Sequence, residues 1–279
     1  MLTKKHKAIL ELKINRSVDT QLIGNYKTNF KNKGIEFADF REYISGDDAK
    51  DIDWGASSKT DKTLVKLYDE ERELDVHFLP FFGEDIDTEF GKIKKREIFE
   101  EVLYILGVST LKEQNKFAGL HYNNGKKQLF PLGKSNAHFH DYFSKIEKNI
   151  FKNDNISEQL GYFNNLSVKN SLVILFTSSL EIDSKILKIA ALKNDIIVCH
   201  IFHSFENSLD GSGIFGLKNG DTKIFIDLDD HDKKEHYRKI RKEKIINFRS
   251  QVRKSGAGYL YLDEKSHIFG DLYTFFKNR

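Results

Sequence analysis

The sequence predicts an α/β protein whose mostly parallel sheet is flanked by helices, and three observations carry that expectation. Two short runs rich in branched apolar residues, Ser171 to Thr177 and Asp195 to Phe202, have the length and composition of strands buried on both faces. Between them Ile186, Leu187, Ile189, Ala190 and Leu192 recur at helical spacing. Strand, helix and strand in that order imply parallel pairing, closed by a right-handed crossover.

The remaining elements follow in chain order. Residues Met1 to about Arg72 are polar and turn-rich, with apolar residues in short clusters such as Ile35, Phe37, Phe40 and Tyr43, and read as an extended lead segment. Val76 to Phe82 is an apolar run of strand length, and Ile98, Val102, Ile105, Leu106 and Leu111 then mark a helix within Ile93 to Lys116. Phe117 to Tyr122 and Gln128 to Leu132 flank Asn124 and Gly125, a pair that reaches positive φ cheaply and predicts a β-hairpin. Helices are expected at about Ala137 to Lys148 and Ser157 to Asn164, and Ser179 or Asp183 can cap the helix before the second buried strand. A solvent-facing hairpin over Leu217 to Leu228, a long amphipathic helix from His236 to Lys254, a strand at Tyr259 to Leu262 and a helix over Ile268 to Lys277 complete the chain. The expected organisation is a lead segment, 1–73, and one α/β domain, 74–279.

Composition narrows the function classes. Of 279 residues, 39% are hydrophobic and 31% charged, which excludes a disordered chain. Lysine and arginine total 45 against 42 acids, a net charge of +3 too balanced to make nucleic acid or membrane the main partner. The single cysteine, Cys199, sits in an apolar run, as a small buried hydrophobe would, and rules out a disulfide framework. Ala8 to Ile14 is interrupted by Glu11 and Lys13, leaving neither a signal-peptide core nor a membrane span there, so a cytoplasmic location is expected.

The densest signal runs from Gly34 to Glu73, where acids, bases and aromatics interleave without periodicity. Gly34, Glu36, Phe37, Arg41, Tyr43, Gly46, Asp47, Asp48, Ile52, Asp53, Trp54, Ser57, Glu70, Glu71 and Arg72 resemble the signature of the bacterial domain-of-unknown-function family fifty-eight, with Lys50 and Lys59 in place of family arginines. The resemblance covers about Gly24 to the carboxy terminus. It implies a von Willebrand factor A-like (Rossmann-like) fold and an interaction surface made of the signature residues. It further implies a protein partner, such as a MoxR-type AAA+ ATPase or other von Willebrand A-type proteins, for which the chain acts as adaptor or chaperone-like factor.

Domains of this type hold a divalent ion through an Asp-x-Ser-x-Ser loop after the first sheet strand. Set against the family, those three positions fall at about Phe81, Gly83 and Asp85, and the later aspartate falls near Ser178 or Ser179. Phe81 and Gly83 offer no side-chain oxygen to a hard cation. The resemblance therefore implies a degenerate metal-ion adhesion site, no cofactor and no catalysis. Glu84, Asp85, Asp87 and Glu89 remain as substitute ligands or as a solvated charged loop.

Other clusters keep alternatives open. Asp47, Asp48, Asp51 and Asp53 suit either an ion-pair network with Arg41 and Arg72 or a metal-dependent hydrolase; nearby Lys50, Arg41 and Lys59 balance the charge and favour the network. Trp54, the only tryptophan, is expected as a buried anchor. The basic helix at 233–254 could grip phosphates or an anionic membrane surface peripherally, or simply present a solvated face. His138, His140, His231 and His236 lack the spacing of a metal site and read as surface residues. No Walker loop, dinucleotide fingerprint or nucleophile elbow is present.

Overall fold

The computed structural model describes residue 7 and residues 36–69, 73–90, 93–152, 155–219 and 222–279. The chain separates into two compact units, 31–74 and the remainder.

In the smaller unit β1 (Glu36–Glu42) pairs antiparallel with β2 (Leu64–Asp69), and Ile52 bridges to Val65 between them. A 3-10 turn (Ala49–Asp51) and a one-turn helix, α1 (Trp54–Ser57), join the strands. The described part of the lead segment is thus a folded β-ribbon rather than an extended chain. Polar side chains hold it: Asp48 and Asp53 cap the two turns, while Ser57 Oγ donates to Asp53 O at 2.7 Å and accepts from Leu64 N at 2.8 Å. Such side-chain caps leave no helical period for a sequence pattern to detect.

The larger unit is built on a six-stranded sheet. Its strands are β3 (Asp75–Pro80), β6 (Lys116–Asn123), β7 (Lys126–Gly133), β8 (Leu172–Thr177), β9 (Asp195–Ile201) and β12 (Gly258–Leu262). They lie in the order β12-β9-β8-β3-β6-β7, all parallel except β7, which returns antiparallel beside β6. Asn124 (φ 49°) and Gly125 (φ 78°) form the expected left-handed turn of that hairpin. Two small ribbons stand apart from the sheet, β4 (Glu89–Phe90) with β5 (Ile93–Lys94), and β10 (Ile214–Asn219) with β11 (Thr222–Asp227).

Strand alternation divides the core. On one face Leu79, Val173, Leu175 and Val198 pack against α4 (Ile156–Asn165), α5 (Ser184–Lys193) and α7 (His231–Lys254) through Leu160, Leu187, Phe248 and Val252. On the other, Phe176 meets Phe99 of α2 (Lys95–Lys112) at 5.3 Å between ring centroids. Helix α2 is buried on most of its surface because it is covered on several sides, by the sheet, by α3 (Asn136–Glu147) and by α8 (Ile268–Lys277). A one-turn helix, α6 (Phe205–Ser208), follows β9.

Most expected elements recur within a few residues, and Asp183, not Ser179, caps α5 by accepting from Lys185 N and Ile186 N. Helix α7 begins at His231, five residues before the expected His236, because its first turn is charged and is started by the Asp230 cap. Cys199 is fully buried, and burial pushes its thiol well above the usual range.

Candidate functional site

Five strands of the sheet run parallel, so the loops after β3, β8, β9 and β12 gather at one end, where open α/β sheets bind. The residues at this end form a charge lattice. Lys95, at the start of α2, is 1% exposed, and its Nζ donates to Asp85 Oδ2 at 2.6 Å and Glu206 Oε1 at 2.8 Å. The next residue, Arg96, forks onto Asp87 through Nε and Nη2, and Nη2 also donates to Asn149 O at 3.0 Å. Glu206 accepts in addition from His203 N at 3.2 Å and lies 3.8 Å from Arg241. Glu264 accepts from Ser204 N at 2.9 Å and from Ser204 Oγ; burial raises its pKa, but these bonds outweigh that and hold the carboxyl below the ordinary glutamate value.

Phe81, the first of the three positions set against the metal-binding loop, belongs to the sheet and its core. Its N–H donates to Phe176 O at 2.9 Å, continuing the sheet, while its ring turns into the core and meets Tyr122 edge-on at 6.1 Å. Gly83 is buried and opens the 3-10 turn Glu84–Asp87. Of the acidic stretch, Asp85 and Asp87 are exposed, and each is also held by a cation, Asp85 by Lys95 and Asp87 by Arg96. Glu84 is exposed, and the side chain of Glu89 lies outside the described residues.

After β8, Ser179 N donates to Thr177 Oγ1 at 3.0 Å, and Glu181 N donates to Ser179 Oγ at 3.1 Å. Ser178 contributes its carbonyl, 3.4 Å from His200 Nε2, while His200 Nδ1 faces Tyr259 Oη at 2.8 Å. Burial lowers the His200 pKa to about 3, so the ring stays neutral. A polar groove of about 600 Å³ opens beside these loops, lined by Asn155, Ser157, Ser179, Glu181, Asp183 and Gln251. Among the described residues no group of three or more His, Cys, Asp or Glu side chains is placed to hold a metal ion.

The signature residues lie in the smaller unit. Arg41 grips Asp47 with both Nη atoms, at 2.7 and 2.6 Å, and the Asp47 carboxyl is lowered to about 2, chiefly by that guanidinium. Gly46 sits at φ +115°, a conformation side chains resist, and so lets the chain turn to present Asp47. Asp53 caps α1 through Ala56 N at 2.9 Å and pairs with Lys66 at 3.1 Å, which lowers its pKa. Asp48 accepts from Lys50 N at 3.1 Å.

Trp54 is not the expected buried anchor. It is 69% exposed, and Ile44 (64%) and Tyr43 (40%) are exposed as well. It begins a one-turn helix in a unit too small to build a pocket around an indole. Gly34, Glu70, Glu71 and Arg72 lie outside the described residues, and Glu36 and Phe37 are described in backbone only.

His138 is also not a plain surface residue, because its ring is wedged between Phe117 and Phe130 and bonds Pro131 O at 2.8 Å. His140, His231 and His236 are exposed as expected. Sequence reading missed Lys95, Glu206 and Glu264; the basic run Lys94, Lys95, Arg96 following the acidic stretch was the available signal.

This strand order, with one antiparallel edge strand and helices on both faces, defines a von Willebrand factor A-like domain. The family described as "Protein of unknown function DUF58" matches residues 39–246, and the chain belongs to it. Among solved structures it is similar to an aerotolerance-related membrane protein from Bacteroides fragilis, at 10% identity over 74% of this chain and 100% of that one, with a TM-score of 0.46. It is also similar to the SpRpn10 VWA domain, at 11% identity over 71% of this chain and 93% of that one, with a TM-score of 0.40. No curated protein matches the chain.

Proposed function

We propose that the chain is a non-catalytic protein–protein interaction module, an adaptor or chaperone-like partner of a MoxR-type AAA+ ATPase. Domains of this fold commonly serve as interaction modules. The observation that carries the reading is how the signature divides its residues. Its acids Asp47 and Asp53 are paired with Arg41 and Lys66, while Trp54, Ile44 and Tyr43 are exposed. Tryptophan and tyrosine are the side chains that concentrate binding energy in protein interfaces. At the carboxyl end of the sheet, Lys95 supplies a positive charge from the chain itself. A cytoplasmic setting belongs to this reading and is supported by the lone, buried Cys199.

The test is titration of the purified MoxR-type ATPase from the same genome against the full chain. Trp54→Ala and Ile44→Asp are expected to weaken binding about tenfold or more with melting unchanged. No association, or equal affinity in the variants, overturns the reading. Turnover of a hydrolysable substrate, lost in a folded Asp53→Asn variant, would instead establish the hydrolase alternative.

A further inference from the structure

The two edges of the six-stranded sheet are built differently. Strand β7 carries Lys126, Lys127 and Pro131, and its pairing with β6 shifts register between Phe117 and Gly119. Charge, proline and irregular pairing are the devices that keep an edge from accepting a further strand. Strand β12 has none of them: it reads Gly258, Tyr259, Leu260, Tyr261, Leu262, in unbroken register with β9. Among the described residues no strand pairs with its outer side. Arg279 lies across its first residue, so close that a Cβ on Gly258 would stand 1.8 Å from Nη1. Beyond Gly258 a groove of about 550 Å³ runs between the strand, the end of α7 and α8, lined in part by Arg253, Tyr261, Asp271 and Phe275.

Helix α7 supplies the second observation. Lys239, Lys242, Ile246, Arg249 and Arg253 recur at spacings of three and four and are all exposed, so they form one stripe. Three bases elsewhere on this helix are ion-paired: Lys233 with Asp230, Arg238 with Glu235 and Asp210, and Arg241 with Glu206. Among the described residues none of the four cations of the stripe has an ion-pair partner. Arg253, the last of them, also lines the groove at β12.

We propose that the open edge of β12 accepts an extended, acidic segment of a partner protein, which adds as a further strand while its carboxylates meet Lys242, Arg249 and Arg253. An added strand satisfies edge N–H and C=O groups and presents every second side chain to the same side, so acids at alternate positions face the stripe together. A phosphate-bearing surface would use the cations alone; an acidic polypeptide also uses the backbone edge beside them. The proposal does not rest on Trp54 or on the ATPase, and its failure leaves that reading untouched.

The experiment measures fluorescence anisotropy of a labelled decapeptide of alternating Glu and Val against the full chain. Saturable binding is expected, weakened about tenfold or more by the triple variant Lys242→Glu, Arg249→Glu, Arg253→Glu. Binding is also expected to be lost with Tyr261→Pro, which removes an edge N–H, and with the same peptide N-methylated at every residue. The methylated peptide keeps the test open if the proline variant does not fold. Absence of saturable binding overturns the proposal. Equal binding of the methylated peptide overturns it too, as does displacement of the parent peptide by phosphatidylserine vesicles or duplex DNA with the edge variant unaffected; those results define a general anion surface.

Discussion

Lys95 Nζ lies 2.6 Å from Asp85 Oδ2, so a buried ammonium is paired with a carboxylate of the loop after β3. An ammonium on a buried stem, 1% exposed, thus places a fixed positive charge between the loop after β3 and Glu206 of α6, in the segment after β9. The loops are cross-linked by the chain's own side chain.

Removal of that charge is the most direct test of the lattice. Lys95→Met should destabilise the chain by about 2–3 kcal/mol in urea unfolding, at or just below the roughly 3–5 kcal/mol for breaking a fully buried pair, since Asp85 is 46% exposed. Combining it with Glu206→Gln should recover part of the loss. A strictly additive double variant would show that the two groups are not coupled.

Magnesium or manganese should leave the melting temperature of the chain unchanged, because a ligand that gains no site in the native state cannot shift unfolding. Differential scanning fluorimetry across a metal series checks this. A saturable rise at micromolar metal would show that Asp85 and Asp87 leave their cationic partners for an ion.

Acid should unfold the larger unit through its buried histidines. Burial lowers His77 and His121 to about 4 and His200 to about 3, against 6.5 in the unfolded chain. A depressed folded pKa means stability that is full above pH 6.5 and falls as pH drops toward those values, since the unfolded state binds the protons first. Unfolding near pH 5 should therefore take up about three protons. His200→Gln should reduce the acid slope of the urea midpoint by about one proton; an unchanged slope would place the effect elsewhere.

Gly107→Ala should cost about 2 kcal/mol or more, because a Cβ there would meet Phe139 Cε2 at 2.0 Å, where α2 and α3 touch. Restoring space with Gly107→Ala plus Phe139→Leu should return part of the stability. Thermal melts of the two variants decide it.

Strands β8 and β9 were legible because a strand buried on both faces is a continuous apolar run. The start of α7 was not, since only Phe248 and Val252 of its 24 residues are fully buried and its first turn carries no apolar period. The lattice was hidden for a different reason: Lys95 meets one partner 10 residues before it and another 111 residues after it, and no local spacing encodes that meeting. Trp54 shows the limit of residue type as a guide. Its bulk argues for burial, but where it ends up depends on whether the surrounding unit has a core to receive it.

Cys199 lies at the centre of β9 with its thiol sealed from solvent, and Trp54 is solvent-facing in the other compact unit. The chain therefore contains one thiol and one indole, each in a different unit. Alkylation of the thiol has to await an opening that strips β9 from its neighbours, so its rate under native conditions times the loosening of the sheet. Indole emission meanwhile follows the signature ribbon, and the two clocks can be read in one sample without adding a label.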